Sequence, residues 1–115
     1  MHEASLAAGV LQLVDDTAQR EGFSRVLQLR LEVGQLAGVE VQALRFALAC
    51  IAPDTRLDGA QIEIIESPGQ GWCLGCQQSV TIAQRGQACP LCDSHQIQAT
   101  GGMELRVLDL QVSDD

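Results

Sequence analysis

The chain has 115 residues, 46% of them hydrophobic, and a formal net charge of −8. That composition excludes global disorder, and the length suits one compact domain or one domain with a small appendage. All seven cations are arginine, set against fifteen acids, so the chain repels phosphate backbones and nucleic acid is a poor partner. No apolar run reaches about 18 residues and no charged-then-apolar leader opens the sequence, so we expect a soluble cytoplasmic protein with no membrane partner.

Met1, His2 and Glu3 come first in chain order. A lone histidine is more often structural than a ligand, but position 2 has a chelate geometry of its own. The terminal amine, the His2 amide nitrogen and the His2 imidazole close two fused rings on one metal ion, and the Glu3 amide nitrogen completes a square plane. Such nitrogen-rich planar sites favour Ni(II) or Cu(II). Removal of Met1 usually needs a small second residue, so Met1 is expected to stay. For the Glu3 side chain three roles stay open: ligand, acceptor for His2, or favourable charge at a helix start.

Residues 5–20 read as a helix with Leu6, Val10, Leu13, Val14 and Ala18 on one face, stopped by Gly22. Residues 25–33 alternate, with Leu27, Leu29, Leu31 and Val33 pointing inward, as in a half-buried strand. Gly34 and Gly38 bound a loop. A second helix over 39–51 turns Val41, Leu44, Leu48 and Ile51 inward, and Pro53 blocks its continuation. Cys50 near its end reads as a small packed residue. Residues 60–66 form a second strand with Ile62 and Ile64 facing in. Residues 103–112 form a third, whose alternation slips near Val107 and Leu108 as at a bulge. The only aromatics are Phe23, Phe46 and Trp72, so the core is aliphatic.

Between the second and third strands lies "CLGCQQSVTIAQRGQACPLC". Two C-x2-C pairs separated by twelve residues bring Cys73, Cys76, Cys89 and Cys92 within reach of one tetrahedral ion, and zinc prefers that donor set at about 2.3 Å. The segment has too few large apolar residues to fold alone, and metal binding supplies the difference, about 10–16 kcal/mol in small zinc peptides. Four thiolates close the coordination shell, so the zinc is structural. His95 then reads as a surface histidine or a neighbour of the ligands. A redox dithiol is the rival reading, but such motifs usually come singly. A nucleic-acid-binding ribbon is disfavoured, because Arg85 is the only cation between Gln70 and Thr100.

Glycine-bearing breaks bracket the cysteine segment, with strand patterns outside both. The expected fold is therefore α+β: a small three-stranded sheet with two helices on one face, plus an inserted zinc-ribbon-like four-cysteine domain. The boundaries expected are 1–68 and 102–115 for an α/β domain that carries the amino-terminal metal site, which the resemblance described next implies to be the nickel-binding domain, and 69–101 for the inserted zinc-binding domain.

"MHE" at the start, the helix–strand–helix–strand layer, "LEVGQLAGVE", and C-x2-C with C-P-x-C before a final strand together resemble the HypA/HybF hydrogenase maturation factors. The resemblance covers essentially the whole chain. It implies a nickel metallochaperone for [NiFe]-hydrogenase assembly, not an enzyme, with Ni(II) bound at His2 and the neighbouring Met1 and Glu3. It implies structural zinc at Cys73, Cys76, Cys89 and Cys92. The implied partners are a HypB-type GTPase, the hydrogenase large subunit or its precursor and, for some members, urease maturation proteins; the chain itself would be a monomer or homodimer. The competing readings are a zinc-stabilised interaction adaptor that carries no nickel and a thiol–disulfide enzyme.

Overall fold

The computed structural model of the chain describes residues 2–114. In chain order the elements are α1 (Glu3–Glu21), β1 (Arg25–Gly34), a 3-10 turn (Gln35–Ala37), α2 (Val41–Ile51), β2 (Gln61–Ser67), β3 (Gly69–Cys73), β4 (Gln78–Ile82), β5 (Ile97–Gly101) and β6 (Leu105–Ser113). They form two three-stranded sheets, ordered β2-β1-β6 and β4-β3-β5. The fold is α+β, with two helices on one face of the first sheet and the four cysteines in the region of the second.

α1 buries Ala7, Val10, Val14 and Ala18, one stripe at helical spacing. It ends where Gly22 takes a left-handed conformation (φ 82°) and its N–H returns to the Ala18 carbonyl. Leu13, expected inside, is 45% exposed. It lies one residue, about 100° of helix, from Val14 and only flanks the stripe. In β1, Val26, Leu29, Leu31 and Val33 are buried while Leu27, also expected inside, is exposed. The alternation slips by one residue because the strand begins on a turn: the Val26 N–H donates to the Arg56 carbonyl (2.9 Å). α2 starts two residues later than expected, at Val41. Glu40 caps it, its carboxylate accepting from the Ala43 N–H, and Leu44 and Leu48 are fully buried. Cys50 is exposed, not packed. Two residues past Leu48 the helix has turned about 200°, away from the core. On the solvent face of the first sheet Arg30 joins Glu63 (3.1 Å) and Asp109 (2.6 Å).

The chain divides into two compact units. One runs through Leu31 and adds Val39–Ile64 and Val107 onwards. The other joins Glu32–Gly38 to Ile65–Arg106 and so takes in more chain than the cysteine segment alone. In this second unit β3 is central and antiparallel to both β4 and β5. Its core is Leu36, Cys73, Val80, Ile82 and Cys89, with Cys76, Ile97 and Ala99 packed against it. Leu36 comes from the 3-10 turn, whose N–H it lends to the Gly102 carbonyl (2.8 Å); the Gly34 N–H donates to Glu104 (2.8 Å). Three glycines make this crossing possible. A methyl on Gly34 would overlap the Gly102 carbonyl, one on Gly102 (φ +76°) would overlap Pro68, and one on Gly69 would sit 2.6 Å from Leu36 Cγ.

Candidate metal centres

The two C-x2-C pairs are built alike. After each second cysteine stands a residue with positive φ, Gln77 (54°) and Asp93 (63°). Its N–H returns four residues to the first cysteine of its pair: Gln77 to the Cys73 carbonyl (2.8 Å), Asp93 to the Cys89 carbonyl (2.9 Å). Each pair is thus one tight turn that points two sulfurs the same way. The first turn follows β3. The second is tied down by the Cys89 N–H on the Ser94 carbonyl (2.8 Å), and the Leu74 N–H donates to Gln96 (2.9 Å). Gly75 lies under Ser94, where a methyl would meet its Cβ at 2.7 Å.

All four sulfurs lie within 4.8 Å of one another. Cys73 Sγ is 3.6 Å from Cys92 Sγ, and Cys76 Sγ is 3.8 Å from Cys89 Sγ. Cys73 and Cys89 are fully buried, Cys76 half-buried and Cys92 exposed. Backbone N–H groups point at the sulfurs, among them Leu91 to Cys89 (3.4 Å). The Cys76 N–H holds the Cys73 thiol down to about 7. Burial pushes the Cys76 thiol up to about 12. At Cys92 the Ser94 N–H pulls the thiol down, but burial and the neighbouring Cys73 outweigh it and leave it above its ordinary value. One thiolate therefore forms readily and then opposes the others. Four crowded sulfurs with this behaviour suit a divalent cation, which removes the repulsion, and soft thiolates in a tetrahedral set suit zinc. His95 is outside this group; it is exposed, and its Nδ1–H donates to the Gly86 carbonyl (3.2 Å).

At the other candidate centre, Met1 lies outside the described residues. His2 is the N-cap of α1; its carbonyl accepts from the Leu6 N–H (2.9 Å) and its side chain is half exposed. The amides of the first helical turn have no helical acceptor, so the His2 and Glu3 nitrogens stand at the one place in a helix where they are not part of its ladder. Glu3 is buried. Its Oε2 accepts from the Glu40 N–H (3.2 Å) and lies 3.8 Å from His2 Nδ1. The Glu40 N–H, then burial working against it, then Glu3's own N–H and the His2 and amino-terminal charges leave the carboxyl below its usual range.

Two residues escaped the pattern of the sequence. Leu36 packs among the cysteines although it lies 37 positions before Cys73. Its only signal was an apolar residue caught between Gly34 and Gly38. Glu40 supplies the N–H that holds Glu3, and a main-chain donor leaves no mark in a sequence.

Comparison with known proteins agrees with this arrangement. The family model described as "HypA: Hydrogenase/urease nickel incorporation, metallochaperone, hypA" matches residues 1–112. A hydrogenase maturation factor HypA of Polaromonas naphthalenivorans is 62% identical, with both chains covered in full. Another of the same description, from Cupriavidus necator, is 57% identical over 99% of this chain and 96% of its own. The solution structure of the Ni metallochaperone HypA from Helicobacter pylori shares the fold, with a TM-score of 0.71 at 19% identity over the whole of both chains. A family match along nearly the entire length, on top of the four clustered cysteines, leaves one assignment: the chain belongs to the HypA family of nickel-incorporation metallochaperones that serve hydrogenase maturation.

Proposed function

We propose that the chain is a nickel carrier, not an enzyme, that binds Ni(II) at its amino terminus and hands it on during [NiFe]-hydrogenase maturation in the cytoplasm. With Met1 as the free first residue, the donors are its amine, the His2 and Glu3 amide nitrogens and the His2 imidazole. The observation that carries the reading is the place of His2 in a HypA-family chain: it caps α1, so its own nitrogen and that of Glu3 are free of the helical ladder and its ring is half exposed. Metal can take those amides without breaking the helix. Glu3 gives its amide nitrogen and keeps its carboxylate on Glu40.

The unit that holds His2 is then the nickel-binding domain, and the four-cysteine unit is the zinc-binding one. Cys73, Cys76, Cys89 and Cys92 hold the zinc, which supplies folding free energy to a small core. Transfer follows from the contrast between the sites. An exposed terminal chelate is open to attack by a recipient's donors, whereas a closed thiolate cage is not. The recipients in this reading are a HypB-type GTPase and the hydrogenase large subunit or its precursor, and urease maturation proteins where that pathway is served.

Ni(II) titration of the zinc-loaded, untagged chain tests the proposal, beside His2→Ala and a chain with extra residues ahead of Met1. The expected result is one nickel on the native chain and a loss of at least a hundredfold in affinity in both variants, with zinc retained. Equal binding by all three overturns it.

A further inference from the structure

The first sheet, β2-β1-β6, has two edge strands that differ in their cover. At β2 the Arg45 guanidinium reaches over from α2 and donates to the Ile62 carbonyl (2.8 Å). A cation over the backbone of an edge strand is one way to keep it from pairing with another chain. β6 has no such guard. It pairs with β1 alone, and among the described residues no side chain of another element bonds its backbone from Leu105 to Val112. Its sequence, LRVLDLQVS, holds neither proline nor lysine, the residues that usually blunt an edge. A groove of about 460 Å³ runs between this strand and the later turns of α1. Leu13, Val14 and Phe23 line it on the helix side, Val107, Leu110 and Val112 on the strand side. Val107 and Leu110 fall on opposite sides of a regular strand, so the groove takes in the edge of β6 as well as its face. Leu13 is 45% and Val112 41% exposed. No cation lines the groove. Its two carboxylates are Asp109, already held by Arg30, and Glu21, which has no ion pair among the described residues.

We infer that the β6 edge is a docking site for an extended segment of another protein, apolar at alternate positions and basic between them. The segment adds a fourth strand to the sheet. The open backbone groups of β6 supply the hydrogen bonds, and every second side chain enters the groove beside Leu13 and Val112. The side chains between them meet an acidic rim: Glu21 at the end of α1 and Asp114 just past β6. Lysine or arginine at those positions is drawn to a chain of net charge −8, and an acidic segment is repelled. A second copy brings the same charge and the same rim, so it is the wrong occupant. A helix laid in the groove would leave the N–H and C=O groups of the edge unpaired, whereas a strand satisfies them. The groove also lies away from the proposed nickel site. Leu13 stands about 15 Å along α1 from Glu3, ten residues at about 1.5 Å each. An occupied groove therefore leaves the His2 ring exposed, and docking and metal binding are separable.

Amide NMR of the isotope-labelled, zinc-loaded chain tests the inference. The probes are synthetic peptides of about seven residues, roughly 23 Å as a strand, that alternate lysine with valine, leucine or phenylalanine. The expected result is binding with a Kd of about 10 µM to 1 mM, signal shifts confined to β6 and residues 13–23, and slower amide exchange along β6. Glutamate in place of lysine should weaken binding at least tenfold. Methylation of the alternate peptide nitrogens that face β6 should do the same, because their donors are lost. Leu13→Lys and Val112→Lys should each weaken the lysine peptides at least tenfold with circular dichroism unchanged. Glu21→Lys, at an exposed position, serves if either fails to fold, and it should turn the preference toward the glutamate peptides. Ser79→Glu, in the other unit, should change nothing. No binding by any peptide up to about 1 mM, equal binding by the lysine, glutamate and methylated forms, or shifts that fall elsewhere overturns the inference. So do β6 signals that move with the chain's own concentration, which would make a second copy the occupant. Nickel affinity is read separately, so failure here leaves the carrier proposal standing.

Discussion

Glu3 shows how much one side chain settles. Its residue type left three roles open, and the structure places its carboxylate on the Glu40 N–H with His2 at 3.8 Å. A carboxylate held this way is an anchor for the start of α1. Its folded value lies below the ordinary 4.5. A depressed folded value means the unfolded chain binds the proton first on acidification. The stabilisation is therefore full above the unfolded value and is lost as pH falls through the folded one. Glu3→Gln should lower the melting temperature near neutral pH, and the gap to the native chain should shrink to nothing as pH drops well below 4.5. A gap that persists unchanged in acid would mean that the carboxylate's charge plays no part in the contact.

At the scale of elements, the helices and strands were legible because their periods were clean. Ala7, Val10, Val14 and Ala18 repeat at helical spacing, and Leu29, Leu31 and Val33 alternate. What failed was phase at the ends. Leu27 points out where the Val26 N–H turns to the Arg56 carbonyl, and Cys50 points out because α2 has rotated past its buried stripe. The cysteine spacing foretold a cluster, and the sulfurs do converge within 4.8 Å. In the sequence the 3-10 turn at Gln35–Ala37 looks like a loop between two glycines. Its contribution is tertiary: Leu36 is 5% exposed and packs with Cys73 and Cys89. Leu36→Ala should cost about 2–5 kcal/mol of the second unit's stability, the usual range for emptying a buried leucine site. Chelator-driven zinc loss should then be faster, while amide exchange in α1 stays as it was. Zinc loss at the native rate would show that Leu36 merely fills space.

On the scale of the whole molecule, the two units depend on different forces. The unit holding α1 and α2 buries Leu29, Leu31, Leu44, Leu48 and Leu57, an aliphatic core of its own. The core around the cysteines has Leu36, Val80 and Ile82, with Ile97 partly buried against them, and only one leucine. Zinc removal by a strong chelator should therefore erase the dispersed amide signals of residues 65–106 and leave most helical circular dichroism in place. Zinc uptake should release protons, because the Cys76 thiol, raised to about 12 by burial, and Cys92, also raised, are protonated without metal near neutral pH. A pH indicator in weak buffer reads that release directly. Zinc affinity should fall steeply with acidification as the thiols compete for protons. Metal uptake with no proton release would rule out thiolate ligation.

Gly34, Gly69 and Gly102 meet where the chain enters and leaves the cysteine unit, each too close to backbone or to Leu36 for a side chain. That knot of bare backbone defines what can be exchanged between relatives. A transplant of residues 69–101 alone would take the thiols but leave behind Leu36, Gly34 and Gly102. The recipient would have to supply a fitting leucine and two glycines at the junction by chance. The compact unit is Glu32–Gly38 together with Ile65–Arg106, two stretches separated by residues 39–64, so a transplant meant to keep this core should carry both.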